Sequence, residues 1–216
     1  GGRRSPGLVG LGPAAEVAAL VDRAGADGAD GAGDAVRWAT LTRGAWDAVG
    51  PEVRERTAGW SAPGEWDCMW THAPLTGVRE HPVERLAADD PAVAAEVAEA
   101  LDRAHPTAST PPGDPRLAGW WVVREEGRVV ALVGALRTSP GLAPQLVSLG
   151  VDPGHRGRGL AGAVLAAAVR DCLAEPTEVG PPAAWLGLYA SNDVARRVYL
   201  RHGFVLGHEL SSRDAR

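Results

Sequence analysis

The stretch Val151-Asp-Pro-Gly-His-Arg-Gly-Arg-Gly-Leu-Ala161 gathers the residue types that hold phosphate groups. Hydropathy predicts a strand ending at Val151 and a strongly apolar helix running from Gly159 to about Ala174. The backbone N–H groups of Gly157, Arg158, Gly159, Leu160 and Ala161 would then stand free at the positive end of the helix dipole, where anions bind. Glycine at 157 and 159 lets a phosphate approach the main chain without meeting a Cβ. The loop also carries His155 and the cationic Arg156 and Arg158. A plain glycine-rich turn with solvated arginines has the same composition, so by itself the stretch implies an anion site and nothing narrower.

Gly157-Arg-Gly-Leu-Ala-Gly162 also satisfies G-x-G-x-x-G, the turn of dinucleotide-binding folds, and so raises a dinucleotide-dependent oxidoreductase. Two features oppose that reading. In that fingerprint the first glycine follows the strand almost directly, whereas Asp152 to Arg156 intervene here. It also wants an acid about 20 residues on, at the end of the next strand. Glu175 and Glu178 lie near that distance but in a loop, and the next strand ends at Ser191-Asn192.

A second constellation is Asn192 and Tyr199, seven residues apart on a helix expected over Asp193–His202. That spacing is almost two turns, so both project from one face. The basic residues of this chain are all Arg, and it contains no Lys and no Ile. Asn192 is its only Asn, and Tyr199 is one of its two Tyr. In so biased a composition these departures mark side chains that are needed. A helix N-cap for Asn192 and a core aromatic for Tyr199 are the plainer roles, and both stay open. Phe204 reads as core.

These residues belong to a chain with 45% apolar and 23% charged residues, the balance of a globular protein. Its 22 basic and 27 acidic residues give −5, which argues against nucleic acid and anionic membrane as partners. No apolar run approaches the ~18–20 residues of a membrane span, and no signal-peptide core follows Gly1-Gly-Arg-Arg-Ser-Pro, so a cytoplasmic location is expected. Cys68 and Cys172 stand far apart without metal-type spacing; two reduced thiols and no metal site are expected.

Residues 1–78 read as a small N-terminal α/β lobe. A helix is expected over 14–24, a flexible loop over 25–33, strands over 36–41 and 66–71, and a helix near 51–57. Five of the eight tryptophans fall before residue 75, and packing rather than a ligand cage is their expected use. From residue 82 to 216 the pattern is regular: strand 83–86, a helix opened by Asp89 or Asp90 and Pro91, strands 119–124 and 128–137 joined by a hairpin, and strand 146–151. The glycine-led helix, strand 184–190, helix 193–202 and strand 204–210 follow. The order β-α-β-β-β-α-β-α-β is a mixed α/β domain.

In this order the two constellations resemble the GNAT superfamily of N-acetyltransferases. Val151, Arg156, Gly159 and Ala161 meet the family's Val-x-x-x-x-Arg/Gln-x-x-Gly-x-Gly/Ala signature. Asn192-Asp-Val-Ala195-Arg-Arg-Val-Tyr199-Leu-Arg-His-Gly203-Phe204 is similar to its Asn-x-x-Ala-x-x-x-Tyr-x-x-x-Gly-Phe. The resemblance covers residues 82 to about 210 and implies a mixed α/β sheet flanked by helices, the acyl-CoA N-acyltransferase fold. It implies acetyl-CoA as co-substrate and a primary amine, of a small molecule or a protein, as acceptor. Backbone groups of Leu149 and Val151 would hold the pantetheine arm where neighbouring strands splay. Arg156, Gly157, Arg158, Gly159, Leu160 and Ala161 would bind the pyrophosphate, Asn192 would contact the cofactor, and Tyr199 would be the general acid to the sulfur.

Two departures stand out. Some family members carry a carboxylate on the strand before the signature, where this chain has Ser148. Glu84, Asp89 and His105 are only loose candidates for a base, and a CoA-binding domain without transfer activity is the alternative. The family also usually has one more strand after the segment matching Phe204–Leu210, so the N-terminal lobe or a partner chain, as in a homodimer, is expected to supply the missing sheet edge.

Overall fold

The computed structural model describes residues 6–27 and 36–215. In chain order its elements are β1 (Gly7–Gly10), α1 (Ala14–Asp27), β2 (Trp38–Thr42), α2 (Ala45–Ala48), α3 (Pro51–Arg56), β3 (Gly64–Thr71), β4 (Glu84–Leu86) and α4 (Pro91–Ala104). β5 (Leu117–Glu125), β6 (Arg128–Leu136), β7 (Gln145–Val151), α5 (Leu160–Ala174), β8 (Ala184–Tyr189), α6 (Asp193–Arg201) and β9 (Val205–Asp214) complete the chain. Two compact units are present, one of Gly1–Cys68, Leu188–Asp193 and Leu206–Arg216, the other of Met69–Gly187 and Val194–Val205. No helix of the described residues is long and apolar enough to cross a membrane.

In the first unit β1 and β2 run parallel, with Leu8 opposite Ala39 and Gly10 opposite Leu41. Parallel neighbours need a crossover, and α1 lies on that connection. Val17 and Ala18 of α1 are buried, and Gly10 makes room for Val17: a Cβ there would stand 2.7 Å from Val17 Cγ1. Asp22 of α1 accepts from the Gly50 N–H at 2.8 and 3.0 Å, which ties the turn before α3 to the helix. β2 pairs antiparallel with β9 from Trp38↔Asp214 to Thr42↔Leu210, and β9 lies between β2 and β3. The tryptophans of this unit pack and donate. Trp46 Nε1 donates to Ser211 O at 3.1 Å, its ring meets Trp60 edge-on at 6.3 Å, and Trp66 Nε1 donates to Ser212 Oγ at 2.8 Å.

In the second unit the strand order is β8-β7-β6-β5-β4, with β7 and β8 parallel and the other neighbours antiparallel. Both faces of β5 and β6 are covered, so they read as nearly continuous apolar runs instead of alternating ones. Successive side chains of a strand point to opposite faces. Trp120 therefore packs with Val97, Ala100 and Leu101 of α4, while Trp121 turns to α5 and donates from Nε1 to Asp171 Oδ2 at 2.9 Å. Asp90 caps α4 by accepting from the Ala92 N–H at 2.8 Å, with Pro91 at its first position. The hairpin between β5 and β6 is a two-residue turn, Glu126 at φ 50° and Gly127 at φ 76°, with Glu125 opposite Arg128. Two left-handed residues in succession match the right-handed twist of the flanking strands.

The elements expected from sequence are present, with boundary shifts. β9 continues to Asp214 instead of ending at Leu210, and α1 extends to Asp27. The loop expected over 25–33 is thus helix for its first three residues, and the remainder lies outside the described residues. β1 and α2 were not expected; each is only four residues long, too short for a periodic signal.

Gly134 faces Trp120 across β5 and β6, and a Cβ there would stand 2.9 Å from Trp120 Cζ3. Because Trp120 is fully buried, its ring has no room to yield. Gly134→Ala is expected to cost about 1–3 kcal/mol. A urea titration checks this as a lower midpoint at unchanged slope.

Candidate active site

β7 must satisfy two edges differently. Leu132 of β6 faces Gly150, but Gly134 faces Val147, so Val133 stands against both Ser148 and Leu149. The extra residue is a β-bulge, and Ser148 takes a left-handed φ of 57°, uncommon for a residue with a side chain. On the other edge, β7 pairs with β8 at Gln145↔Trp185, and no further pair joins these strands among the described residues. Asp152 N–H bonds to Val130 O on β6, at 2.9 Å. By the alternation of a ladder, the peptide groups of Val151 point to the opened edge, and those of Leu149 point the same way. Arg156 Nε donates to Val151 O at 3.1 Å, across the turn.

After β7, Pro153–His155 makes a single 3-10 turn that Asp152 caps by accepting from the Gly154 N–H at 3.2 Å. Gly157 and Gly159 follow with φ of 76° and 87°. Gly159 is the N-cap of α5 and has no side chain to offer the helix. The Ala163 N–H reaches Gly159 O at 3.2 Å, while the N–H groups from Gly157 to Gly162 meet no acceptor among the described residues. Nothing lies within 4 Å of a Cβ built at Gly157. The expected arrangement at residues 157–161 is present: a bare helix start with open space before it.

The side chains around this turn are less free than their types suggest. Arg158 forms a two-pronged pair with Glu125, at 2.9 and 2.6 Å. That guanidinium holds the Glu125 carboxyl below the usual carboxylate range. His155 sits between Glu125 at 3.5 Å and Asp152 at 3.6 Å. Two residues that the sequence did not single out reach the same turn. Arg79 Nη1 and His81 Nε2 donate to Arg158 O, at 3.4 and 3.1 Å. They precede β4, outside both signatures, and no spacing rule marks them. The third glycine of the G-x-G-x-x-G pattern has a packing role: a Cβ at Gly162 would stand 2.9 Å from His202 Nε2, so the end of α6 rests directly on α5. His202 in turn donates from Nδ1 to Thr76 O at 3.0 Å.

Tyr199 of α6 is 8% exposed and lies edge-on to Phe204 at 5.5 Å, with Phe204 in the core as expected. Burial pushes its phenol up to about 12, so the hydroxyl keeps its proton throughout the neutral range. Asn192 is exposed immediately before α6, its N–H on Tyr189 O at 2.9 Å. The two cysteines are free thiols; burial raises Cys68 to about 11 and Cys172 to about 12, which leaves neither as a ready nucleophile. Among the looser candidates, Glu84 is tied to Arg124 Nε at 2.9 Å, Asp89 is exposed, and His105 ends α4 with its N–H on Leu101 O at 2.8 Å. Among the described residues no group of three His, Cys, Asp or Glu side chains could hold a metal ion.

No curated protein matches the sequence. Among solved structures, one from Novosphingobium aromaticivorans assigned to the GNAT family of acetyltransferases superposes with a TM-score of 0.58 at 23% identity, over 94% of this chain and 79% of that one. A GCN5-related N-acetyltransferase from Kribbella flavida gives 0.54 at 21% identity, over 95% and 77%. A GNAT-family acetyltransferase from Colwellia psychrerythraea gives 0.55 at 11%, over 92% and 72%. At these identities the likeness is one of fold. The sequence model of the acetyltransferase (GNAT) family matches residues 84–204, more than half of the chain and both signatures up to Phe204. With that match the chain belongs to the GNAT family of acetyltransferases.

Proposed function

We propose that the protein is an N-acetyltransferase that moves an acetyl group from acetyl-CoA to a primary amine. The observation that carries this reading is the row of unsatisfied N–H groups from Gly157 to Gly162, one short turn beyond a strand whose edge has opened. Such a row suits a pyrophosphate. The Leu149 peptide groups and the Val151 N–H, which face the opened edge, suit the amides of a pantetheine arm, which would hydrogen-bond to β7 as an added strand does; Val151 O already accepts from Arg156 Nε.

Acetyl-CoA supplies the acyl group activated as a thioester. Leu149 and Val151 would orient the arm, while Gly157 to Ala161, with Arg156 and Arg158, would hold the diphosphate. Holding both reactants in line accounts for most of the acceleration in a direct transfer. Tyr199 would give its phenolic proton to the sulfur as the C–S bond breaks and the amine nitrogen bonds to the carbonyl carbon. The amine's own proton leaves to water, and the phenolate recovers one from water. Burial keeps the Tyr199 phenol protonated throughout the neutral range, so a proton is in place for the sulfur, while the same shift makes it a weaker donor than a free phenol.

Release of free thiol from acetyl-CoA, measured across a panel of amines, tests the reading. Turnover with at least one amine is expected; tight donor binding without turnover for any of them would favour a CoA-binding domain instead. Tyr199→Phe is expected to lower kcat by about 10²-fold or more while donor affinity stays within about twofold, since the ring packing on Phe204 is kept. Glu125→Gln frees the Arg158 guanidinium from a full negative charge. Calorimetry should find acetyl-CoA bound about two- to fivefold tighter by this variant, the worth of a part-exposed ion pair.

A further inference from the structure

His155 stands between two carboxylates, one at each ring nitrogen. Glu125 Oε2, at the end of β5, lies 3.5 Å from its Nε2, and Asp152 Oδ1, just after β7, lies 3.6 Å from its Nδ1. That Nδ1 is buried and makes no hydrogen bond among the described residues. A neutral imidazole carries a single N–H, so it can donate to one of these acids while its other nitrogen turns a lone pair to the second. Only the imidazolium, with two N–H groups, satisfies both.

The two acids differ in what else they hold. Asp152 is fixed: its Oδ1 accepts from the Gly154 N–H at 3.2 Å, and its Oδ2 lies 3.4 Å from Arg103 Nε of α4. Glu125 is shared with the anion turn. Its Oε2 accepts from Arg158 Nη1 at 2.9 Å and its Oε1 from Arg158 Nη2 at 2.6 Å. A charge-assisted N–H···O bond is about 2.7–2.9 Å long. An imidazolium therefore draws Oε2 toward itself and out of the two-pronged pair with Arg158. The other charged groups of this turn hold carbonyl oxygens: Arg79 and His81 donate to Arg158 O, and Arg156 to Val151 O. His81 donates whether or not its ring is charged, although its charge also acts on Glu125.

We infer that His155 is a positioning residue for the donor's diphosphate, acting through Glu125: on gaining a proton it takes the carboxylate from Arg158 and leaves that guanidinium to the diphosphate. The inference rests on the acetyl-CoA reading above. It makes donor binding a proton-linked event. The protonated form binds the anion tighter, so binding raises the share of that form and takes up a fraction of a proton. Affinity is therefore highest with His155 charged and falls as pH rises through the range, from about 5 to 8, where histidines change charge. Glu125 stays ionised across that range, because the Arg158 guanidinium holds its carboxyl below the usual carboxylate values.

The test is calorimetry on the full chain with 3′-dephospho-CoA, whose diphosphate keeps its charge across this range and which lacks the 3′-phosphate that would itself titrate. The wild type is expected to bind it about two- to fivefold tighter at about pH 5.5 than at about pH 8, the worth of a part-exposed ion pair. Binding heats compared in buffers of different ionisation enthalpy should show proton uptake. His155→Gln should lose both the pH dependence and the uptake, whereas His81→Gln should keep both. In Glu125→Gln no full negative charge holds Arg158, so its affinity should stay near the wild type's acid value and hardly change with pH. This second variant leaves His155 in place, so it decides the question even where His155→Gln does not fold. A flat wild-type profile, a slope of opposite sign, uptake that survives in His155→Gln, or a slope undiminished in Glu125→Gln overturns the inference and leaves the transferase reading intact. Failure of the wild type to bind the probe at any pH overturns both.

Discussion

Everything at this site depends on one strand that is laddered on one side and released on the other. β7 keeps its bonds to β6 up to Val151, yet separates from β8 after Gln145↔Trp185. The N–H and C=O groups of a strand alternate between its two edges with a fixed period, so beyond Gln145 those on the β8 side are left without a strand partner among the described residues. The Ser148 bulge changes that phase by one residue, and the left-handed backbone at Ser148 is its local cost. The same strand needs Gly150 for another reason. A Cβ there would stand 3.0 Å from Ala104 Cβ and 3.3 Å from His105 Cβ, so the end of α4 could not settle on the sheet. One short strand thus has its bulge, its free edge and its close helix contact within three residues, from Ser148 to Gly150.

The electrostatics follow from a chain whose cations are all arginine. A guanidinium cannot be neutralised near neutral pH and binds carboxylates in a two-pronged fashion, so it needs an assigned partner or an open, wet position. Around the anion turn both solutions occur. Arg158 has Glu125, delivered by the left-handed turn at Glu126-Gly127, and Arg156 turns back onto Val151 O. The first anion recognised there is the chain's own carboxylate. Any anion arriving at this turn would have to compete with it for Arg158, whereas the backbone N–H groups at the start of α5 have no internal competitor among the described residues. This ranks the backbone above the side chains as the fixed part of the site and makes Arg158 its adjustable part.

Most of the domain from residue 82 onward was legible in the sequence because its signals are local. Asp90-Pro91 caps α4, Glu126-Gly127 turns the β5–β6 hairpin, and Gly203 ends α6; each is a short-range rule that the structure repeats. The bare N–H row at the start of α5 was legible for the same reason. What was not legible depends on distance. The bulge leaves no trace in composition, since Ser148 replaces the glycine that would have announced a left-handed residue. Glu125 as the partner of Arg158 joins residues 33 apart, and the approach of Arg79 and His81 joins residues 79 and 77 apart.

The same distinction explains β9. Read forward from Phe204, its apolar residues thin out after Leu210, and Ser211-Ser-Arg-Asp214 resembles a polar tail. Those residues are strand because of what they meet. Ser212 exchanges a hydroxyl hydrogen bond with Thr40 at 2.7 Å and accepts from Trp66 Nε1, while Arg213 donates to Ser61 O at 2.9 Å and to Thr57 O at 3.1 Å, with its guanidinium 5.2 Å over the Trp46 ring. Each partner is in the first 70 residues, well over a hundred positions away along the chain. A strand built from polar residues is stable only when both of its edges and its side-chain hydroxyls are satisfied. Here β2 and β3 flank it on either side, so the sheet's continuation past Leu210 is determined by the N-terminal residues and not by β9 itself.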